Sequence, residues 1–167
     1  GSFMPYKNVE TMVKGMADLP GYTLHLLSRI TPQRRAELEA FIPEDAAVVF
    51  HNGVTDEEYH GLLRTATALV SLSRAEGYGL PLVEAMALGT PVIASDIPIF
   101  REVGGDAALY VDPSSPEQFA GAVHTLQDEG RWQDASRRSV AQANRFSWDE
   151  SARQLVDVAA EVMKRRR

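Results

Sequence analysis

A parallel β-sheet covered by helices is the fold class this sequence predicts, and three observations carry it. Short apolar runs alternate with stretches of helical periodicity along the whole chain. The runs are apolar throughout, as strands buried on both faces are. No repeat or low-complexity linker interrupts the pattern, so residues 1–167 read as one domain. Together these describe a doubly wound, Rossmann-like sheet with helices on both faces and extra helices at the carboxyl end.

Asn8 can cap a first helix, whose apolar positions are Val9, Met12, Val13 and Met16, and which ends near Leu19-Pro20-Gly21. Residues 22–27 are a β-type run. Thr31-Pro32 caps the next helix, from Arg34 to Phe41, with proline at its first position. A strand follows over 46–50, then the loop His51-Asn52-Gly53-Val54. Thr55-Asp56-Glu57-Glu58 matches a capping box, and Tyr59, Leu62 and Leu63 give that helix its apolar face. A strand near 68–72 leads through a glycine-bearing turn into a helix starting near Leu80, then a strand near 92–95. One helical turn at 99–103 and a short strand at 108–111 come next. Helices over about 117–129, 131–144 and 148–164 complete the chain. The first helix has almost no strand before it, whereas the first strand of a doubly wound sheet is normally central.

The chain is 44% hydrophobic and 24% charged, enough apolar residue for a real core. A net charge of -6 argues against a nucleic-acid partner. The absence of cysteine removes disulfides, thiolate nucleophiles and cysteine-ligated metals. With no long apolar run and no signal peptide, a cytoplasmic protein is expected. Gly1-Ser2 matches a common cloning remnant, and the abrupt opening reads as a piece of something longer.

Ligands of such sheets bind outside the carboxyl ends of the strands. One loop there is unusual: Glu76 and Glu84 sit in an otherwise apolar, small-residue stretch. Gly77 and Gly79 allow positive φ and close backbone approach. The following helix start, with Pro81 in its first turn, favours an anion such as a phosphate. Glu84, about one turn into the helix, can accept two hydrogen bonds from a diol such as a ribose. The histidines, at 25, 51, 60 and 124, lack metal-ligand spacing, and no Asp-x-Asp occurs.

The stretch Glu76-Gly77-Tyr78-Gly79-Leu80-Pro81-Leu82-Val83-Glu84-Ala85-Met86-Ala87, with Gly89-Thr90-Pro91-Val92, resembles the hallmark of retaining glycosyltransferases of family 4. The resemblance extends to Pro5-Tyr6-Lys7-Asn8, Gly53 to Glu58, Val103 to Ala108 and Phe146-Ser147-Trp148. It implies the C-terminal, donor-binding half of a GT-B fold, in which two Rossmann-like domains face across a cleft. It implies a nucleoside-diphosphate sugar as donor substrate, with UDP or GDP as the nucleotide, and no cofactor or metal. The acceptor would be held by an N-terminal domain outside this sequence. A membrane-associated acceptor, with the whole protein peripheral at the inner membrane face, is compatible with it.

By position, the resemblance gives Glu76 the catalytic place, against hydroxyls of the donor sugar. Gly77, Tyr78, Gly79 and Leu80 would offer amides to sugar and diphosphate, Glu84 would hold the ribose, and Lys7 would neutralise the diphosphate. Val54, beside Asn52 and Gly53, would flank the base, with Ser28 and Arg29 lining that side. Many relatives carry an arginine where this chain has Ser2, and Arg29 or Arg74 could compensate. Two further readings stay open: a related sugar-nucleotide enzyme of synthase or epimerase type, and a non-catalytic interaction domain that kept the fold.

Most of these residues also have a plain structural reading. Glu84 can be a first-turn carboxylate, Lys7 a solvated lysine, Arg29 and Arg74 surface charges, and Asn52 a turn residue. Tyr78 can serve packing, Trp148 can cap a core, and Lys164 to Arg167 can be a solvated helix end.

Overall fold

In the computed structural model, which describes residues 3–165, every strand pairing is parallel. The strands are β1 (Thr23–Leu27), β2 (Ala47–His51), β3 (Leu69–Ser71), β4 (Val92–Ser95) and β5 (Leu109–Val111). The helices are α1 (Val9–Gly15), α2 (Pro32–Glu39), α3 (Asp56–Thr65), α4 (Leu80–Ala87), α5 (Pro98–Gly104), α6 (Pro116–Thr125), α7 (Glu129–Ala143) and α8 (Trp148–Arg165). Short 3-10 turns cover Pro5–Lys7 and Met16–Asp18.

The strands form two ladders, β1-β2 and β3-β4-β5, where one continuous sheet was expected. β4 shows why the class is legible. All four of its residues are buried, with Val92 and Ala94 in one apolar cluster and Ile93 in the other. Successive side chains of a strand point to opposite faces, so two cores require helices on both. Val13, Met16 and Phe119, from the α1 and α6 side, join Ile93. Leu82, Met86 and Phe100, from α4 and α5, join Val92 and Ala94.

Helix boundaries follow their chemistry. Thr55 accepts from the Glu58 amide while the Glu58 carboxylate accepts from the Thr55 amide, which completes the capping box. Thr31, Ser115 and Asp128 cap α2, α6 and α7 by the same donor geometry. Asn8 departs from expectation. It occupies the N-cap position of α1, but its side chain caps nothing. It adopts φ 55° and is buried, donating from Nδ2 to the Leu72 and Pro113 carbonyls at 2.9 and 2.5 Å. Its Oδ1 accepts from Thr11 Oγ1 at 2.9 Å and from Arg74 at 3.3 Å. One amide thus joins α1, the end of β3 and the loop after β5.

Trp148 was expected to cap a core. It is instead 80% exposed at the start of α8, and Leu155, Val156 and Met163 on the same helix are exposed too. Of the described residues of α8, none is buried.

Candidate functional site

The carboxyl end of β3 and residues 5–7 meet at the loop 74–79. Residues 5–7 curl in a 3-10 turn, and the Tyr6 carbonyl accepts from the Arg74 amide at 2.8 Å. That bond fixes Lys7 beside the loop, where its Nζ lies 2.5 Å from Glu76 Oε1. The two side chains are 23% and 14% exposed, so the pair is shielded but not sealed. Sequence reasoning gave Lys7 and Glu76 separate partners; the fold brings them together across 69 positions.

Gly79 stands at the N-cap of α4 with φ 95°, a conformation a side chain resists. A Cβ there would meet a Phe100 ring carbon at 3.0 Å, so packing as well as backbone demands glycine. Gly77 does neither: it has no positive φ, and a Cβ would meet open space. The N-terminus of α4 begins four residues after Glu76, a place where anions are favoured, although Pro81 carries no amide hydrogen and the Leu82 amide already donates to the Gly79 carbonyl at 2.9 Å.

Glu84 lies one turn into α4 and is exposed, with Leu80, Pro81 and Ala87, so the helix has a solvent face that its apolar sequence conceals. Tyr59 on α3 donates to Glu84 Oε2 at 2.8 Å. Burial and this carboxylate together push the Tyr59 hydroxyl pKa well up, keeping it a donor. One Glu84 oxygen is therefore oriented and the other faces out. Tyr59 was missed as a site residue because its helical spacing already assigned it to the apolar face of α3.

The remaining predicted residues spread along the same edge. Ser28, half-buried, shares a cavity of about 570 Å³ with Lys7, Glu76 and Gly79. Arg29 packs near Gly53, whose φ of 96° turns the loop after β2. Asn52 is exposed and Val54 half-buried, both at the end of β2 and outside that cavity's lining. Tyr78 is 46% exposed, with its ring edge-on to Phe146 at 6.4 Å between centroids. Leu80 is exposed. Arg74 is exposed and bonds to Asn8, while Ser2 lies outside the described residues. No group of three or more His, Asp or Glu among the described residues could hold a metal ion.

The model of the family "Glycosyl transferases group 1" matches residues 1–146. The chain belongs to this family. Among relatives of this glycosyl transferase chain, O-antigen chain mannosyltransferase B of Escherichia coli is 37% identical over 105 residues, covering 62% of the chain and 28% of the relative. D-inositol 3-phosphate glycosyltransferase of Acidothermus cellulolyticus is 30% identical over all of the chain and 41% of its own length. The chain thus spans less than half of either relative.

Among solved structures, sucrose-phosphate synthase of Thermosynechococcus elongatus superposes with a TM-score of 0.84 at 28% identity, covering 98% of this chain and 44% of that one. HepE of Anabaena, described in complex with UDP and glucose, gives 0.82 at 20% identity over 96% and 46%, a likeness of fold. These neighbours are GT-B glycosyltransferases, which places the chain's architecture in that fold. No helix among the described residues is long and apolar enough to cross a membrane.

Proposed function

We propose that this chain is the donor-binding, C-terminal half of a retaining glycosyltransferase, holding a nucleoside-diphosphate sugar at the carboxyl edge of its strands. The observation that carries this reading is the half-buried Lys7–Glu76 pair beside the glycine-capped start of α4, with Glu84 one turn away. HepE, of the same fold, is described with UDP and glucose bound, which supports a nucleotide sugar as the ligand class.

In this reading the donor's diphosphate draws Lys7 from Glu76 and lies against the amides of residues 77–80. The released Glu76 carboxylate accepts from sugar hydroxyls near the reacting carbon. Glu84, oriented by Tyr59, accepts from the ribose diol through its outward oxygen. Ser28, Arg29, Asn52 and Val54 flank the base. As the bond between sugar and diphosphate breaks, negative charge grows on the leaving phosphate, and the lysine and helix amides stabilise it in place. No protein-held metal is invoked in that step. The acceptor is held by a further domain of the longer protein, acting in the cytoplasm, where an acceptor at the inner membrane face is within its reach.

Calorimetry of the full-length protein with UDP, GDP and ADP tests this. One of the three should bind, and Lys7→Ala should weaken it by about 10-fold or more, the scale of a lost charged hydrogen bond. No heat with any of them at millimolar concentration would overturn the reading. The likeness to a sucrose-phosphate synthase at 28% identity favours one second reading, a sugar-nucleotide synthase. Product analysis with the full-length protein separates the two.

A further inference from the structure

His25 and His51 stand 26 positions apart in sequence, yet strand register makes them neighbours. β1 and β2 run parallel, with His25 opposite Val49 and Leu27 opposite His51. Paired residues of adjacent strands share a face, as do alternate residues of one strand. His25, Val49 and His51 therefore lie on one face of this ladder. Leu24, Leu26, Val48 and Phe50 lie on the other, packed into the apolar core. The histidine face stays open: His25 and Val49 are exposed and His51 is half-buried.

The two rings turn toward each other. His25 Nδ1 and His51 Nε2 are 3.0 Å apart, with 5.2 Å between ring centroids. Each neutral imidazole has one nitrogen with a free lone pair. Two imidazoles bound side by side to one transition-metal ion, at about 2.0–2.1 Å each, hold their nitrogens about 2.9–3.4 Å apart for angles of about 90–110°. The observed separation falls inside that range, so an ion can take the place of a shared proton after a small rotation of the rings. The surroundings favour a cation. Asp56, Glu57 and Glu58 form the acidic first turn of α3, a few residues past His51, and outnumber Arg29, which packs at Gly53. His51 and Glu58 are close enough to feel each other's charge. Glu58 uses Oε2 in the capping box, and its Oε1 makes no hydrogen bond among the described residues.

We infer that His25 and His51 form a binding site for a divalent transition-metal ion, which clips β1 to β2 with water completing its shell. Histidine nitrogen suits Zn2+, Ni2+ and Cu2+, whereas Mg2+ and Ca2+ take oxygen ligands and would not compete. Two protein ligands make an open surface clip, not a closed structural site. A bound ion would fix His51 at the root of the loop 52–54, whose turn depends on Gly53 at φ 96°. This site shares no residue with the Lys7–Glu76 pair, and it holds or fails independently of the donor reading.

Calorimetric titration of the untagged full-length protein with Zn2+, at about pH 7.5 where unperturbed imidazole is largely neutral, tests this. His25→Ala and His51→Ala should each weaken one Zn2+ site by about 10-fold or more, at least the scale of losing a supporting group at a metal site. His60→Ala should leave that site unchanged. His25→Gln, which can still hydrogen-bond His51 and so keeps the local packing, should weaken it as His25→Ala does. Cu2+ bound at the site should show two imidazole nitrogens by electron paramagnetic resonance, and one in either alanine variant. Excess Mg2+ should displace nothing. Unchanged Zn2+ binding in either His25→Ala or His51→Ala would overturn the site, by assigning the ion to a single histidine or to another place. A wild-type protein that binds no Zn2+ would overturn it too, leaving the pair a plain hydrogen bond.

Discussion

Single side chains at this site act through others. Tyr59 orients Glu84 with one hydrogen bond, and Tyr59→Phe should weaken nucleotide binding about fivefold, the scale of about 1 kcal/mol for one partly exposed bond. Calorimetry reads the affinity, and an unchanged Tm separates orientation from folding. Asn8 is more costly to lose. Asn8→Ala strips partners from the Leu72 and Pro113 carbonyls and leaves a Cβ residue at φ 55° without compensation. A loss of about 3 kcal/mol in urea unfolding is expected. For Gly79→Ala, strain at φ 95° and the Phe100 contact add, for a loss of about 2 kcal/mol. Phe100→Leu should recover the packing share of that loss but not the backbone share. Of these three costs, only the backbone share at Gly79 is visible in residue type. Asn8 reads from sequence as an ordinary cap, and Tyr59 as an ordinary apolar position. Only the juxtaposition of distant loops makes them otherwise.

Between elements, two contacts of titratable side chains bear on the pH response. Glu10 on α1 meets Arg34 on α2. Burial, the largest single influence, raises the Glu10 pKa, but the Arg34 hydrogen bond, a backbone hydrogen bond and the charges of Arg34 and Arg74 together outweigh it, and the net shift is down from 4.5. A depressed carboxyl contributes stability that is complete above 4.5 and lost as pH falls through the folded value. Glu10→Gln should therefore flatten the acid limb of a stability–pH curve below 4.5. His25 on β1 and His51 at the end of β2 stand 3.0 Å apart, and burial first, then His51, lowers the His25 pKa. The unfolded chain then takes up that proton more readily, so stability is full above 6.5 and falls as pH drops below it. In an NMR titration His51→Ala should lift the His25 pKa part of the way back to 6.5. Element positions were largely legible: strands were read at 22–27, 46–50, 68–72, 92–95 and 108–111, and all five are present. Periodicity and caps are local, and local signals survive in sequence. The 3-10 turn at residues 5–7 escaped notice because three residues carry no periodicity; its own bonds, from the Lys7 amide to the Met4 carbonyl and from the Asn8 amide to the Pro5 carbonyl, are local, and the Arg74 amide ties it to the loop.

At the scale of the whole molecule, the parallel class was legible because β4 and its neighbours are apolar on both faces. The split into two ladders was not, since strand order is a property of space and leaves no periodicity. The loop 76–84 was legible as a site because its carboxylates are expensive in apolar company, while the pairing of Lys7 with Glu76 was invisible until the two met. On the proposed donor-binding function, that pairing bears on how quickly a donor is captured. A diphosphate approaching this stretch of chain, of net charge -6, meets repulsion, and the lysine that would attract it is already neutralised by Glu76. Capture is then not steered by the protein's field. Salt screens the repulsion, so the association rate measured by stopped flow should rise as ionic strength increases, the reverse of what an unpaired lysine would produce.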